Sequence, residues 1–208
     1  YQKIFKNLKN PNGCEAQGTF FVSHEYCDYT MVNELYNQGH EIGLHSVTHG
    51  YGRKPNYWRT SSEETIAQEF SDQLIMMERY ANITSKNIKG MRAPFLEVAG
   101  NATYLAARKV GLMYDTSLPS LRFRRPPLWP YTMDYASTQD CVIGPCPEVS
   151  IPGFWIYPMV AWTDPGTPGC SMMDACEGVR ETEEEVVQWM MQNFNRHYNS
   201  NRAPFGVF

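Results

Sequence analysis

The sequence lacks the basic runs that are typical of nucleic-acid-binding proteins and the long apolar runs that are typical of membrane proteins. Its net charge is only −4 and no run of lysine and arginine forms a basic stripe, so nucleic acid is not an expected partner. The longest apolar stretch, residues 154–162, is interrupted by Pro158 and is far too short to span a bilayer, so no membrane segment is expected. What remains is a globular chain, because 208 residues with 42% hydrophobic content predict one domain with a substantial core.

The sequence also lacks a recognisable signal peptide and any CxxC pair. Because the chain begins at Tyr1 instead of methionine, we expect its natural beginning to lie further upstream. Without CxxC pairs a zinc ribbon is not expected. The close couples Cys141 with Cys146 and Cys170 with Cys176 are interpreted as staples of loops rich in proline and glycine, although spacing alone fixes no connectivity among six cysteines.

Two sequons for N-glycosylation, at Asn82 and Asn101, agree with an extracellular location. Such triplets also arise by chance, and Asn101 equally suits the N-cap of a helix. Together with the six cysteines, the sequons favour a secreted protein over a cytosolic one.

Strand and helix patterns alternate over the first 116 residues. In chain order they predict a strand at 18–23, a helix at 31–37, a strand at 40–45, a helix that begins at a Ser61–Glu64 capping box, a strand at 88–92, a helix at 102–110 and a strand at 112–116. This alternation predicts parallel strands wrapped by helices, in a barrel or in a doubly wound sheet.

Residues 117–180 hold most of the prolines and four of the six cysteines, so we expect long stapled loops there, with a single strand at 154–160. A capping box of Thr182 and Glu185 predicts the last helix, and a final strand is predicted at 205–208. The helix places His197 on the surface and has a predicted inner face of Val186, Met190, Phe194 and Tyr198.

Two histidines stand at the carboxyl end of a predicted strand, where parallel strands with right-handed crossovers carry active sites. His45 ends the strand and His49 follows four residues later. If the chain turns into a helix there, both imidazoles share one face at the separation that two ligands of one metal require. A lone histidine is more often a capping or core residue, and the HExxH metalloprotease pattern does not apply because Ser46 replaces its glutamate.

A second predicted strand end carries Arg92, within the segment MRAPF. Pro94 biases the preceding residue toward an extended conformation and fixes the turn that leaves the strand. Arg92 at this place suits the orientation of a carboxylate or of a substrate oxygen, and Asp115 at the next strand end is a candidate partner. The alternative is an ordinary surface salt bridge.

The segments HEIGLHSVTHG, MRAPF and GLMYDTS follow one another in this order. The combination resembles the carbohydrate esterase family of polysaccharide deacetylases, which carries the NodB homology domain. The resemblance covers nearly the whole chain and is greatest to the arthropod chitin deacetylases, on NPNGC, GTFFVSHEY, RPPLWPYTMDY and NRAPFGVF. It implies an α/β fold, a distorted and incomplete (β/α) barrel with long disulfide-stapled loops, in which residues 1–208 form the catalytic domain.

The resemblance also implies a role for each matching residue. Two histidines spaced like His45 and His49, with one aspartate, bind a divalent metal in that family, usually Zn2+. Arg92 matches the arginine that orients the catalytic aspartate, and the backbone N–H of Phe95 matches the donor that stabilises the oxyanion. The implied activity is hydrolysis of N-acetyl groups from chitin or N-acetylglucosamine oligomers, which releases acetate.

Two catalytic parts of the family pattern are missing from these residues. The paired aspartates, which supply the third metal ligand and the general base, precede the segment NPNGC in the family and are expected upstream of Tyr1. The histidine that protonates the leaving amine follows the strand matching residues 205–208. We therefore expect this fragment by itself to be inactive, because loss of coupled catalytic groups removes orders of magnitude in rate.

Candidate contacts to the polysaccharide are Pro94, Trp129, Tyr131, Trp155 and Trp162. Aromatic faces stack on sugar rings, which suits a chitin cleft, whereas the alternative is that these tryptophans bury area and pack loops.

Two other functions compete with catalysis. The first is a non-catalytic chitin-binding or matrix-organising homologue, with other extracellular matrix proteins as partners. The second is an unrelated zinc hydrolase on the same architecture, which would use a different ligand set. Replacement of the expected upstream aspartates would favour binding over catalysis.

Overall fold

The computed structural model describes residues 4–50 and 55–208. Its helices are α1 (Tyr29–Asn37), α2 (Tyr57–Thr60), α3 (Glu63–Ala81), α4 (Asn101–Lys109) and α5 (Glu183–Tyr198). Its strands are β1 (Thr19–Val22), β2 (Glu41–Leu44), β3 (Gly90–Met91), β4 (Tyr114–Asp115), β5 (Pro119–Ser120), β6 (Tyr131–Thr132), β7 (Trp155–Ile156) and β8 (Met159–Val160). None of the helices within these two ranges is long and apolar enough to span a membrane.

The main sheet has six strands in the order β1-β2-β3-β4-β7-β6. Its pairs are parallel from β1 through β7, and β6 runs antiparallel to β7 at the edge. Strands β5 and β8 form a separate parallel pair. This arrangement confirms the predicted α/β fold with parallel strands, and among the described residues the sheet stays open between β1 and β6.

Packing of α3 and α4 against the sheet forms the main core. In the sequence, apolar residues follow the predicted capping box at helical spacing and predict one apolar stripe on this helix, formed by Ile66, Phe70, Leu74 and Met77. The stripe is buried on α3, with Ile66, Phe70 and Met77 fully enclosed. On β3, Gly90 allows a close approach, because a Cβ there would lie 2.0 Å from the Tyr114 ring. The spacing of apolar residues in the sequence therefore identifies the inward face of this layer correctly.

The start of α3 differs from the prediction by one residue. Ser62 is the N-cap and accepts a hydrogen bond from the backbone N–H of Thr65 at 3.2 Å. The predicted cap, Ser61, is the C-cap of α2 and donates its hydroxyl to the carbonyl of Tyr57, the first residue of that helix. The predicted capping box of Ser61 and Glu64 was wrong because the short helix α2 already engages the first serine.

The two sequons lie at helix ends. Asn82 is exposed and ends α3 in the left-handed conformation. Asn101 is not the N-cap of α4, which is Gly100. Its side-chain oxygen instead accepts the backbone N–H of Glu148 at 2.7 Å, so Asn101 anchors the long loop that follows β6.

Both predicted disulfides are present, between Cys141 and Cys146 and between Cys170 and Cys176. They lie in the long loops between β6 and α5, as expected. The predicted strand at 154–160 is two short strands, β7 and β8, which belong to different sheets. Pro158 lies between them and has no N–H to donate to a ladder, so it separates the two pairings.

Helix α5 begins at the predicted capping box of Thr182 and Glu185. Its buried face was predicted wrongly, since Tyr198 is exposed whereas Trp189, Asn193 and His197 are buried. Hydrogen bonds to backbone carbonyls explain the difference. Asn193 donates to the carbonyl of Thr163, and the Nδ1 of His197 lies 3.1 Å from the carbonyl of Ala203, so each of these polar side chains has a backbone partner on the buried face. His197 is therefore not a surface residue.

The last residues and Trp162 form a second core with α5. Trp162 is 1% exposed, packs against the rings of Trp189 and Phe205, and donates its Nε1–H to the carbonyl of Gly206 at 3.1 Å. The strand predicted at 205–208 was wrong, because these residues form no strand with any described residue. The carbonyl of Phe208 accepts the N–H of Met173 in a loop, at 3.0 Å, and that of Gly206 accepts the Trp162 side chain. The burial of Trp162 contradicts its prediction as a sugar-stacking residue, and it acts in packing instead.

Replacing Trp162 tests this assignment. We expect Trp162→Ala to lower the free energy of unfolding by about 3 to 5 kcal/mol, because it empties a buried indole site and leaves a carbonyl without its donor. The control is Tyr135→Ala, since Tyr135 is 86% exposed and should change stability by less than about 1 kcal/mol. Denaturant unfolding measures both values, and equal effects of the two substitutions would contradict a core role for Trp162.

Candidate active site

The ends of β2 and β3 lie side by side. Leu44 and Met91 are paired in parallel register, and the backbone N–H of Arg92 donates to the carbonyl of Leu44 at 2.9 Å. His45 follows β2 directly, and its N–H donates to the carbonyl of Val22 at 2.9 Å. The sheet therefore places the first histidine and the arginine at neighbouring positions on its carboxyl edge.

Residues 45–50 form a tight turn and not the helix that would place the histidines on one face. The backbone has positive φ at Ser46 (75°), His49 (52°) and Gly50 (80°). The hydroxyl of Ser46 accepts the N–H of His49 at 3.0 Å and closes the turn. The two imidazoles still converge, with their Nε2 atoms 3.2 Å apart.

A buried carboxylate of α3 holds this turn. Glu69 accepts the backbone N–H groups of Val47 at 3.1 Å and Thr48 at 3.0 Å, together with the Thr48 hydroxyl at 2.7 Å. Hydrogen bonds of this kind, from neutral donors to a charge, are stronger than neutral pairs. Sequence reasoning missed Glu69, although its place on the buried stripe of α3, next to Phe70, was a signal that a charged group there has a specific partner.

The protonation of His45 follows from its neighbours. Its Nδ1 lies 2.8 Å from the carbonyl oxygen of Arg92, which can only accept, so Nδ1 carries the proton and Nε2 presents a lone pair. Burial lowers the pKa of His45 to about 4, and the charges of His49 and Arg92 act in the same direction. Burial also lowers the pKa of His49. Neutral imidazole is the form that binds metals.

The spacing of the two imidazoles fits a single metal ion. Two nitrogens that each lie about 2.0 to 2.1 Å from a tetrahedral zinc are about 3.3 Å apart. The observed separation between the Nε2 atoms of His45 and His49 is 3.2 Å. No group of three or more histidine, cysteine, aspartate or glutamate side chains within 4–50 and 55–208 is arranged to hold a metal, so a metal at this pair would need further ligands from outside the described residues.

Arg92 lies beside the histidines but does not form an ion pair with Asp115. Its Nε–H donates to the carbonyl of Thr116 at 3.0 Å, and its guanidinium carbon lies 4.7 Å from the centre of the Phe21 ring and 5.0 Å from that of Phe208. Asp115 instead accepts hydrogen bonds from Ser117 and Tyr104. The candidate partnership of Arg92 and Asp115 is therefore an interaction of their charges without a direct ion pair, because these closer donors occupy the carboxylate.

The turn after β3 brings Phe95 to the histidines. Phe95 has φ 56° and ψ 15°, a left-handed conformation that is strained for an aromatic residue and is often found at functional sites. Its ring centroid lies 4.7 Å from that of His49. Pro94 is buried and fixes the turn, so it offers no surface for the substrate contact that was predicted for it.

A cavity of about 850 Å3 contains both histidines, Arg92 and Phe95. Its other walls come from β1, from the two disulfide-closed loops and from single residues of neighbouring segments, and they are mainly apolar. The disulfide-closed loops supply five of the wall residues, which are Val142, Ile143, Ser171, Met172 and Ala175. These wall residues were not predicted from the sequence. Apolar residues inside small loops closed by a disulfide were the feature of the sequence that could have indicated them.

The remaining aromatic candidates lie elsewhere. Within the described part of the chain, the cavity lining includes none of Trp129, Tyr131 and Trp155. Trp129 is 51% exposed and donates its Nε1–H to the carbonyl of Asn201. Tyr131 is bonded to Gln139, and Trp155 lines a second cavity of about 880 Å3 that also reaches Arg92. The structure thus groups His45, His49, Arg92 and Phe95 and separates them from these aromatics.

Comparison with known proteins agrees with this geometry. Residues 2–114, which include both histidines and the turn after β3, match the family model of polysaccharide deacetylases. The chain belongs to the polysaccharide deacetylase family. A fold likeness extends to a solved Mycobacterium smegmatis protein assigned to the polysaccharide deacetylases, with a TM-score of 0.54, 18% identity, and coverage of 88% of this chain and 56% of that one.

Two curated members of the family are similar over all of this chain. It is 44% identical over 211 residues to chitin deacetylase 8 of Bombyx mori and 34% identical over 220 residues to chitin deacetylase 1 of the same species. The chain spans 55% and 40% of the lengths of these two relatives.

The buried carboxyl of Asp115 predicts a pH effect on stability. Burial raises the pKa of Asp115 from 3.8 to about 6, against the opposing hydrogen bonds of Ser117 and Tyr104 and the charge of Arg92. The folded state therefore holds a proton that the unfolded state releases, and stability is lost as pH rises through this window, by about 3 kcal/mol. We expect Asp115→Asn to remove this loss.

Denaturant unfolding between pH 4 and pH 7 measures the effect as the difference between variant and wild type. As pH rises, the free energy of unfolding of the variant should increase relative to that of wild type. The lowered pKa of His45 makes stability depend on pH in the opposite direction, but His45 is present in both proteins, so its contribution cancels in the difference. Parallel stability curves for the two proteins would contradict the prediction.

Proposed function

We propose that the protein carrying this chain hydrolyses N-acetyl groups of chitin or of N-acetylglucosamine oligomers, with Zn2+ bound by His45 and His49. The observation that carries the proposal is the 3.2 Å separation of two Nε2 atoms, one of them on a ring oriented by the Arg92 carbonyl. Membership of the deacetylase family supports the reaction type, and the names of the two Bombyx mori relatives support chitin as the substrate.

Four residues of the cavity have a proposed role in this reaction. His45 and His49 hold the ion as neutral imidazoles, which their lowered pKa values favour. A bound zinc ion polarises a carbonyl and lowers the pKa of water. The hydrolysis adds water to the acetamide carbon and breaks its C–N bond, which gives acetate and an amine. We assign stabilisation of the developing negative charge to the Phe95 backbone N–H, and orientation of a catalytic carboxylate to the Arg92 guanidinium.

The third metal ligand, the general base and the general acid would come from outside residues 4–50 and 55–208. The apolar walls of the disulfide loops suit the methyl group of the acetamide and the apolar faces of pyranose rings. Two disulfides also agree with an extracellular place of action, where chitin is found and thiols oxidise. The exposed indoles of Trp129 and Trp155 remain candidates for sugar units bound further from the histidines.

The test uses the whole natural polypeptide that contains this chain, because the activity requires more than the described residues. We expect the zinc-loaded wild type to release acetate from N-acetylglucosamine oligomers. His45→Ala combined with His49→Ala should abolish zinc binding and reduce acetate release by about a thousandfold or more, since coupled catalytic groups are lost together. Zinc content and acetate are measured on the same samples.

His40→Ala is the control, because His40 lies at the amino end of β2, opposite to the cavity. It should retain zinc and activity. Unchanged zinc content in the double variant would contradict the assigned metal site. Zinc binding without acetate release in wild type would reject the hydrolase and leave a chitin-binding or matrix-organising homologue, which binding to insoluble chitin would then identify.

A further inference from the structure

A continuous series of buried hydrogen bonds links the end of β4 to His45. Asp115 and Ser117 are fully buried, and the Ser117 hydroxyl donates to the Asp115 carboxylate. The same hydroxyl oxygen accepts the backbone N–H of Ala93 at 2.7 Å. A carboxylate only accepts hydrogen bonds, so the single hydroxyl proton points to Asp115 and the lone pairs of the oxygen face Ala93.

The N–H of Ala93 and the carbonyl of Arg92 belong to one peptide unit. Its N–H is bound by Ser117, and its carbonyl oxygen lies 2.8 Å from the Nδ1 of His45. The peptide bond is trans, so the two groups point in opposite directions, and the unit connects Ser117 on one side to His45 on the other. Hydrogen bonds in such a series polarise one another in the same direction.

The direction of polarisation suits a metal ligand. A negative charge on Asp115 draws the hydroxyl proton toward itself, which makes the Ser117 oxygen a better acceptor and the Arg92 carbonyl in turn a better acceptor for the Nδ1–H of His45. A histidine whose Nδ1–H is held by a strong acceptor has a fixed ring and a more basic Nε2. Metal-bound histidines often reach a carboxylate directly, whereas here a hydroxyl and a peptide unit lie between the two groups.

We propose that Asp115 and Ser117 are positioning residues that orient and polarise His45 for a divalent cation through the Arg92–Ala93 peptide unit. The proposal rests on the metal site of the proposed function. It assigns to the GLMYDTS segment a role in metal affinity, although neither Asp115 nor Ser117 lines the cavity that holds the histidines. Neither residue is expected to contact the substrate.

The experiment compares Ser117→Ala with a control variant that loses a similar buried hydrogen bond in another part of the fold. Thr103 is also buried, and its hydroxyl accepts a backbone N–H, that of Ala99, at 2.8 Å on α4. Thr103→Val therefore removes the same kind of bond without touching the series that ends at His45. In the whole polypeptide we expect Ser117→Ala to weaken zinc affinity by about tenfold or more, whereas Thr103→Val changes it by less than about twofold.

A second readout does not need the metal. In the zinc-free protein, 15N chemical shifts of the His45 ring should show a single Nδ1–H tautomer in wild type and in Thr103→Val. In Ser117→Ala they should show a mixture of tautomers, because the acceptor at Arg92 is no longer held. A general loss of stability would be seen in both variants, and it would not change the tautomer of the His45 ring in Ser117→Ala alone.

The outcomes separate this proposal from the proposed function. If His45→Ala abolishes zinc binding while Ser117→Ala keeps the wild-type affinity and tautomer, the positioning role is wrong and the metal site stands. If wild type binds no zinc, the proposed function fails, and an unchanged tautomer in Ser117→Ala would also reject the positioning role. If Ser117→Ala does not fold, Asp115→Asn replaces it, since this substitution keeps the side-chain shape and removes the charge. Asp115→Asn is then expected to weaken zinc affinity in the same direction, and unchanged affinity would overturn the proposal.

Discussion

The peptide unit between Arg92 and Ala93 is the element on which the geometry of the site depends. Its carbonyl orients His45, its N–H is held by Ser117, and the N–H of Arg92 extends the ladder to β2. A single peptide at a strand end thus connects the first histidine to the buried carboxyl of Asp115. Since the partners are backbone groups, the buried side chain of Ser117 and the partly buried ring of His45, the arrangement costs little further entropy once the sheet has formed.

The histidine turn is constrained from two sides. The Arg92 carbonyl acts on the ring of His45, and the Glu69 carboxylate of α3 holds the backbone at Val47 and Thr48. Around this polar centre, part of the cavity wall comes from β1 and part from loops that two disulfides close. In α/β proteins, functional residues commonly lie at the ends of strands, while loops form the rest of the binding site. Loops can differ in shape without disturbing the sheet.

Local signals predicted some elements well and others poorly. The stripe of α3 and the capping box of Thr182 were correct because they depend on neighbours within a few residues. The buried face of α5 was wrong because Asn193 and His197 find carbonyl partners from distant segments, which a hydrophobic pattern does not reveal. Trp162 was placed with the substrate for a similar reason, since the ring partners that bury it come from α5 and the last residues.

The sequence by itself determined the family and the parallel α/β order, and it indicated the two cysteine couples, because element patterns and motif spacing are local properties of the chain. His45, His49, Arg92 and Phe95 were chosen as candidates from strand ends and from the family resemblance. Only the tertiary structure decided that a turn and not a helix brings the two imidazoles together. It alone joined Asp115 to His45 through a peptide unit and made disulfide loops part of the cavity wall. These features depend on contacts between residues more than 20 positions apart, whose directions follow from strand register and burial and not from any local pattern.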